Sequence, residues 1–340
     1  MTDLTGPEPA GLILLTGFLL STGVCALLVR FARHRLLDVP VARSAHSHAT
    51  PRGGGIAIAI SLFLMLSLFT LNGTLSVWQW LILMCASPVA LIGFLDDLHA
   101  LPVRIRLPLH LLNAALVLLL LGPVPEPFFS GWLSMPDWLQ MLILIVALVW
   151  LLNLYNFMDG IDTLAVAQCV FVCGAVGLML WSLADPLMWV CAALVAATLG
   201  FMVWNIPPAR LFMGDVGSTY LGFILGVLGL MTHYSGVLSV WVWVLLMATF
   251  IADTTYTLLR RALAGVSVTE GHSSHTYQRL ARRWGNHWKV TAAFTTVNLC
   301  WSLPFAWLAL TYPEYGVVLA FSGIVPLMAL AAALGAGKQG

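Results

Sequence analysis

An all-α, polytopic integral membrane protein of about eleven transmembrane helices is the fold class this sequence predicts, and three observations carry it. Apolar residues make up 60% of the 340-residue chain and charged residues only 9%, where a soluble domain carries about a quarter charged. Apolar runs of about 20 residues recur along the whole length, each long enough to cross a hydrocarbon core as a helix. All 15 lysines and arginines fall in alternate connections between those runs. Together these predict one integral membrane domain over residues 1–340, with the N-terminus outside and the C-terminus cytoplasmic. No soluble domain, low-complexity stretch or internal repeat stands out.

The first ten residues hold Asp3 and Glu8 and no basic residue, unlike a secretory signal. The run after them is followed by Arg30, Arg33 and Arg35 and reads as a retained first span. The spans then fall at about 10–30, 54–71, 77–95, 107–122, 139–157, 163–183, 187–204, 216–233, 237–259, 290–310 and 315–335. Alternation from an outside N-terminus puts Arg43, Arg52, Arg104, Arg106, Arg210, Arg260, Arg261, Arg279, Arg282, Arg283, Lys289 and Lys338 on the cytoplasmic side with the first three arginines. The opposite connections hold none, so the positive-inside rule is obeyed throughout. Net charge near zero excludes a nucleic-acid surface, and six cysteines within apolar runs form no disulfide framework or zinc spacing.

Five cytoplasmic stretches carry groups capable of chemistry. The first runs from Asp38 through Arg43, Ser44, His46, His48 and Arg52 to Gly53-Gly54-Gly55. Glycine amides ahead of a helix suit an anion, with the basic side chains as partners. A tight loop holding the next helix is the plainer reading. The second, Gly93-Phe-Leu-Asp96-Asp97-Leu-His99, sets two acids against an apolar run, which is costly unless they pair, bind a cation or move protons. The third, Asn153-Leu-Tyr-Asn156-Phe-Met-Asp159-Gly160-Ile-Asp162, spaces amides and acids three apart, so that successive members are helical neighbours.

In the fourth, Asn205-Ile-Pro207-Pro208 stops a helix, and Gly214-Asp215-Val-Gly217-Ser218 opens the next. Asp215 there suits either a helix cap or a hydrated divalent cation. The fifth, Glu270-Gly-His272-Ser-Ser-His275-Thr-Tyr277-Gln278-Arg279, suits phosphate or sugar recognition better than zinc, because no third clustered ligand is present. A basic surface helix on anionic lipid is its plainer alternative. Asp253, near the cytoplasmic end of its span, reads first as a structural partner of Arg260 or Arg261.

Four of these pieces, in this order and on matching membrane sides, resemble the polyprenyl-phosphate N-acetylhexosamine-1-phosphate transferase family of bacterial membranes. They are Arg43-Ser-Ala-His-Ser-His-Ala-Thr-Pro-Arg-Gly-Gly-Gly55, Gly93-Phe-Leu-Asp-Asp97, Asn153 to Asp162, and Phe212-Met-Gly-Asp-Val-Gly-Ser218. The fifth stretch resembles the branch that primes O-antigen or related glycans. The resemblance implies transfer of an N-acetylhexosamine 1-phosphate from a UDP-sugar to undecaprenyl phosphate, releasing UMP at the cytoplasmic face of the bacterial inner membrane. It implies Mg²⁺, with Mn²⁺ as a substitute, on Asp215 and Asn156, and catalytic carboxylates Asp96, Asp97, Asp159 and Asp162. Asp96 or Asp97 would deprotonate or orient the lipid phosphate. Arg43, His46, Arg52, Asn153, Asn205, His272, His275 and Arg279 would bind substrate, and a homodimer is compatible with it. Thr163 stands where the family usually has glycine, which predicts altered backbone geometry beside Asp162; serines replace the arginine usual before His275. The pentapeptide transferase of peptidoglycan synthesis is the neighbouring alternative, and a secondary transporter the alternative from another class; acids gathered at one boundary rather than the midplane disfavour the transporter.

Overall fold

The computed structural model describes residues 7–31, 36–38, 49–124, 135–266 and 272–338, with side chains described from residue 10 onward. Helix α1 (Pro7–Phe31) leads to a two-residue antiparallel ladder, β1 (Leu37–Asp38) with β2 (Thr50–Pro51). Then follow α2 (Gly55–Leu71), α3 (Val77–Met84), α4 (Ser87–His99), α5 (Val103–Leu121), α6 (Asp137–Phe157), α7 (Leu164–Ser182), α8 (Leu187–Asn205) and α9 (Asp215–Tyr234). The last third holds α10 (Val240–Leu246), α11 (Ala248–Leu263), α12 (Thr276–Trp284), α13 (His287–Val297), α14 (Leu303–Thr311) and α15 (Gly316–Ala333).

Every one of the eleven expected apolar segments is helical among the described residues. Nine are long and apolar enough to cross a membrane, and α2, at 17 residues, is shorter. The remaining one is not the straight span expected at 237–259: α10 and α11 meet at Met247 with a 73° bend. Buried polar groups hold that break open. Gln168 Nε2 on α7 donates to the carbonyl of Leu246 at 2.9 Å, Asn298 Nδ2 donates to Gln168 Oε1 at 2.6 Å, and Thr249 Oγ1 donates to Asn298 Oδ1 at 2.8 Å. The freed backbone is satisfied by protein rather than left to lipid. Asn298 itself opens a π-helical turn, Asn298–Ser302, just before Pro304, whose ring has no N–H to continue a regular ladder.

Helix α9 is the centre of the bundle, with 89% of its apolar window buried, and α2, α4 and α6 pack against it. Small residues permit that approach. A Cβ on Gly55 would lie 2.0 Å from Gly217 Cα, and one on Gly93 would lie 2.7 Å from Val216 Cα. Between α1 and α8, Ser21 Oγ donates to Ala197 O at 2.7 Å and Thr22 Oγ1 to Gly200 O at 3.1 Å. The outer face is the reverse of a soluble protein's: Leu12, Leu19, Leu112, Leu119, Leu178 and Phe321 are all exposed. Exposed Trp78, Trp138, Trp181, Tyr312 and Tyr315 lie near helix ends on the side without lysine or arginine, as an aromatic belt does.

Candidate active site

The polar stretches meet at one end of the bundle because α4 and α6 end where α9 begins. Pro207 and Pro208 stop α8, and the chain doubles back to Gly214, whose φ of +75° suits glycine. On the way it pairs with the glycine-rich loop: Phe212 N donates to Pro51 O at 2.8 Å, Gly54 N to Phe212 O at 2.9 Å and Gly55 N to Met213 O at 2.8 Å. The amides of Gly54 and Gly55, expected to be open to an anion, are therefore held by backbone carbonyls. Two of the three glycine amides thus serve the tight loop.

A cavity of about 250 Å³ lies beneath this turn. Its walls include Arg52, Asp97, Asn156, Asp159, Asp162, Asn205, Asp215 and His272, eight of the residues expected from sequence. Asn156 Nδ2 donates to Asp215 Oδ1 at 3.0 Å and to Ser218 Oγ at 2.9 Å, so two residues 59 apart in sequence face one another. Arg106 Nη1 reaches Asp215 Oδ2 at 3.1 Å and also binds Asp96. Asp162 Oδ2 accepts from Ala209 N at 3.2 Å and lies 3.3 Å from His287 Nδ1. Asn205 closes the floor: its Oδ1 accepts from Thr163 N at 2.7 Å and its Nδ2 donates to Leu211 O at 3.0 Å.

Acids outnumber bases in this wall. Burial, together with the charges of Asp215, Asp97 and Asp162, holds the carboxyl of Asp159 well above the usual carboxylate range. No hydrogen bond or ion pair to its side chain occurs among the described residues. His272 moves the other way: burial, then the neighbouring His275 and Arg261, push it down to about 4. At neutral pH it is an uncharged hydrogen-bonding group, with Nδ1 3.0 Å from Ser274 Oγ.

Several expected residues stand elsewhere. Asn153 Nδ2 donates to Val149 O of its own helix at 2.7 Å and does not reach the cavity wall. Arg279 Nε donates to Leu334 O at 3.3 Å, satisfying the end of α15. His275 is 1% exposed and sits behind the wall, stacked on His272 with ring centroids 4.9 Å apart and 3.5 Å from Asp253 Oδ1. Asp253 caps α12, accepting from Thr276 N at 2.8 Å and Tyr277 N at 3.1 Å, a role its sequence context did not suggest. Asp96 is buried outside the wall, and Arg43 and His46 lie outside the described residues. The wall also gains Asp38, Ser218, Gln278 and His287. Of these His287 has the clearest missed signal: it follows Gly285-Asn286, a helix stop and a helix cap, on the basic side of the chain.

No cluster of three or more His, Cys, Asp or Glu side chains that could hold a metal ion occurs among the described residues. Mg²⁺ does not need one, since it takes one or two protein oxygens and completes its shell with water and phosphate. The wall offers hard oxygen donors, an excess of acids over bases and, in Asp159, a carboxyl that burial and its acidic neighbours hold above the usual range. Asp215 and Asn156 would hold such an ion once Arg106 withdraws and Asn156 turns its Oδ1 inward, since Asp215 Oδ1 and Oδ2 accept here from Asn156 Nδ2 and Arg106 Nη1.

Residues 79–233 match glycosyl transferase family 4. That stretch spans Asp97, Asn156, Asp159, Asp162 and Asp215 and ends before His272 and His287. A protein named probable undecaprenyl-phosphate N-acetylglucosaminyl 1-phosphate transferase, from Bacillus subtilis (strain 168), is 29% identical over 259 residues, 72% of this chain and 69% of that protein. Phospho-N-acetylmuramoyl-pentapeptide-transferase of Chlamydia pneumoniae is 32% identical over 219 residues, 56% of this chain and 62% of its own length. The protein of that name from Geobacillus sp. (strain WCH70) is 28% identical over 272 residues, 75% of this chain and 82% of its own. The acids of the matched stretch gather around one cavity at the end of a membrane bundle, and the match and these relatives together support the polyprenyl-phosphate N-acetylhexosamine-1-phosphate transferase family.

Proposed function

We propose that the protein transfers an N-acetylhexosamine 1-phosphate (GlcNAc, GalNAc, FucNAc or QuiNAc type) from a UDP-sugar to undecaprenyl phosphate. The products are the undecaprenyl diphosphate sugar and UMP, and the reaction is the first step of O-antigen or related cell-envelope glycan assembly. The observation that carries this reading is the cavity lined by Asp97, Asp159, Asp162 and Asp215 at one end of an apolar bundle. Such a place is open to a soluble nucleotide from one side and to a lipid phosphate from the other.

An oxygen of the lipid phosphate attacks the phosphorus bonded to the sugar, and the bond from that phosphorus to the bridging diphosphate oxygen breaks. UMP leaves. Phosphoryl transfer of this kind needs positioning and charge neutralisation more than covalent chemistry from the protein. Bound Mg²⁺, held by Asp215 and Asn156, would supply that neutralisation at the diphosphate oxygens. Arg52, 35% exposed at its side chain, is a cation in the cavity wall. Asp159 holds a proton more tightly than an ordinary carboxyl and faces the reacting phosphates. His272, uncharged, offers a ring nitrogen to the donor's sugar or base.

A panel of UDP-sugars tests the reading. Membranes containing the protein are expected to release UMP from a UDP-N-acetylhexosamine only when undecaprenyl phosphate and Mg²⁺ are both present. Asp215→Asn is expected to lower that rate by about 10²–10³, the usual cost of losing one charge-stabilising group. An unchanged rate in correctly inserted Asp215→Asn protein would overturn the metal assignment. The pentapeptide transferases among the relatives favour a second reading, in which UDP-N-acetylmuramoyl-pentapeptide is the donor. Turnover of that donor alone would select it.

A further inference from the structure

The paired acids Asp96 and Asp97 were expected to act on the lipid phosphate, yet all four of their carboxylate oxygens are occupied. Asp97 Oδ1 accepts from Asp215 N and Oδ2 from Val216 N, both at 3.1 Å, and its side chain is 0% exposed. The next two amides of α9, those of Gly217 and Ser218, donate to Gly214 O at 3.1 Å. The first three amides inside this helix, those of Asp215, Val216 and Gly217, are thus satisfied, and the anion that its dipole favours is Asp97 itself. None of those three amides is left for a substrate phosphate. Asp96 Oδ1 accepts from Leu101 N at 2.6 Å, and Oδ2 from Arg106, whose Nη1 also reaches Asp215 Oδ2 at 3.1 Å. Both acids therefore converge on one residue, Asp97 through the backbone of Asp215 and Asp96 through its side chain.

We propose that Asp96 and Asp97 are positioning residues that lock Asp215 and the first turn of α9 in place, and that neither takes a proton from the acceptor phosphate. A proton acceptor needs a lone pair within hydrogen-bond reach of the reacting group. Here each of the four oxygens already accepts from a protein donor, and the side chains of Asp97 and Asp96 are 0% and 8% exposed. Gly93 and Gly214 fit the same arrangement, since a Cβ on Gly93 would lie 2.6 Å from Asp215 O and one on Gly214 would lie 2.5 Å from Asp97 Oδ2. The proposal rests on the transferase reading for its kinetic consequence but not for its structural one.

Two measurements on full-length protein in lipid nanodiscs separate the roles. A phosphate monoester, with a second pKa of about 6, is a full dianion by about pH 9. If Asp97 removed that proton, Asp97→Asn would recover towards the wild-type rate at about pH 9. As a positioning residue it is expected to stay about 10- to 100-fold slow from about pH 6.5 to about pH 9, with Asp97→Ala slower still because Asn keeps one acceptor oxygen. Asp96→Asn is expected to show the same pH-independent loss, and it decides the question if the Asp97 variants do not fold. Hydrogen exchange supplies a readout that needs no turnover: the amides of Asp215 and Val216 are expected to exchange about tenfold faster in Asp97→Asn. Recovery at high pH, or unchanged exchange at those two amides, overturns the proposal. If the wild type turns over no UDP-sugar, the transferase reading fails and the exchange result alone decides this one.

Discussion

Thr163 has a φ of +66°, in the left-handed region that a β-branched residue enters at a cost of about 1–2 kcal/mol. Glycine would adopt it freely, so Thr163 holds a backbone conformation that glycine would reach without strain. Thr163 is compensated locally: its Oγ1 donates to Asp162 O at 2.6 Å and lies 3.3 Å from Thr291 Oγ1. Thr163→Gly loses those bonds and gains chain entropy in the unfolded state, but sheds the strain. It is expected to shift stability by no more than about 1 kcal/mol and to retain activity. Thr163→Val keeps the strain without the bonds and is expected to cost about 1–2 kcal/mol, read as a lower unfolding midpoint in detergent. His272 gives a pH signature. Its folded value of about 4 lies below its ordinary 6.5, so the unfolded chain binds more protons between the two. Its contribution to stability is present above about pH 6.5 and is lost as pH falls towards 4; His272→Gln is expected to show a shallower acid loss over that window. Neither behaviour could be read from the sequence, which names the residues but not their φ or burial.

Among the elements, α12 joins a short amphipathic surface helix to the site. Its N-terminus is held by Asp253 of α11 and by the hydroxyl of Tyr277, which donates to Phe157 O at 2.9 Å. Gly160 makes room for that hydroxyl, since a Cβ there would lie 2.1 Å from it. Asp253→Asn is expected to cost about 1–2 kcal/mol, as loss of a cap does. Because α12 places Gln278 at the wall next to His272, the same change is expected to raise KM for the UDP-sugar more than it lowers kcat. The sequence made the apolar spans and the converging acids legible, because hydropathy and local spacing are local properties. It did not show the break at Met247, because Gln168, Leu246, Thr249 and Asn298 lie in three separate spans, each apolar enough to pass as regular. It also gave Arg279 and Asn153 to the substrate, since a charge or amide beside a motif looks alike whether it faces a cavity or a helix end.

At the scale of the whole molecule, the one-sided distribution of base bears on which compartment the cavity faces. Arg52 and Arg106 contact the aspartates of the site directly, so the cavity lies at the arginine-bearing end of the bundle. The connections at the other end contain no lysine or arginine. Basic residues are retained on the cytoplasmic side during insertion, which supports the cytoplasmic facing that the proposed UDP-sugar donor requires. Single cysteines report this directly. Five of the six native cysteines are buried and Cys300 lies within an apolar span, so replacing Cys300 with serine leaves a quiet background. In intact cells, a membrane-impermeant maleimide is expected to label Ser182→Cys and Glu314→Cys, both exposed at the arginine-free end. Arg104→Cys and Arg283→Cys, exposed at the other end, are expected to react only after permeabilisation. The reverse pattern would turn the cavity away from the cytoplasmic nucleotide pool, and the UDP-sugar donor would then have to be abandoned even though every contact within the site stayed the same.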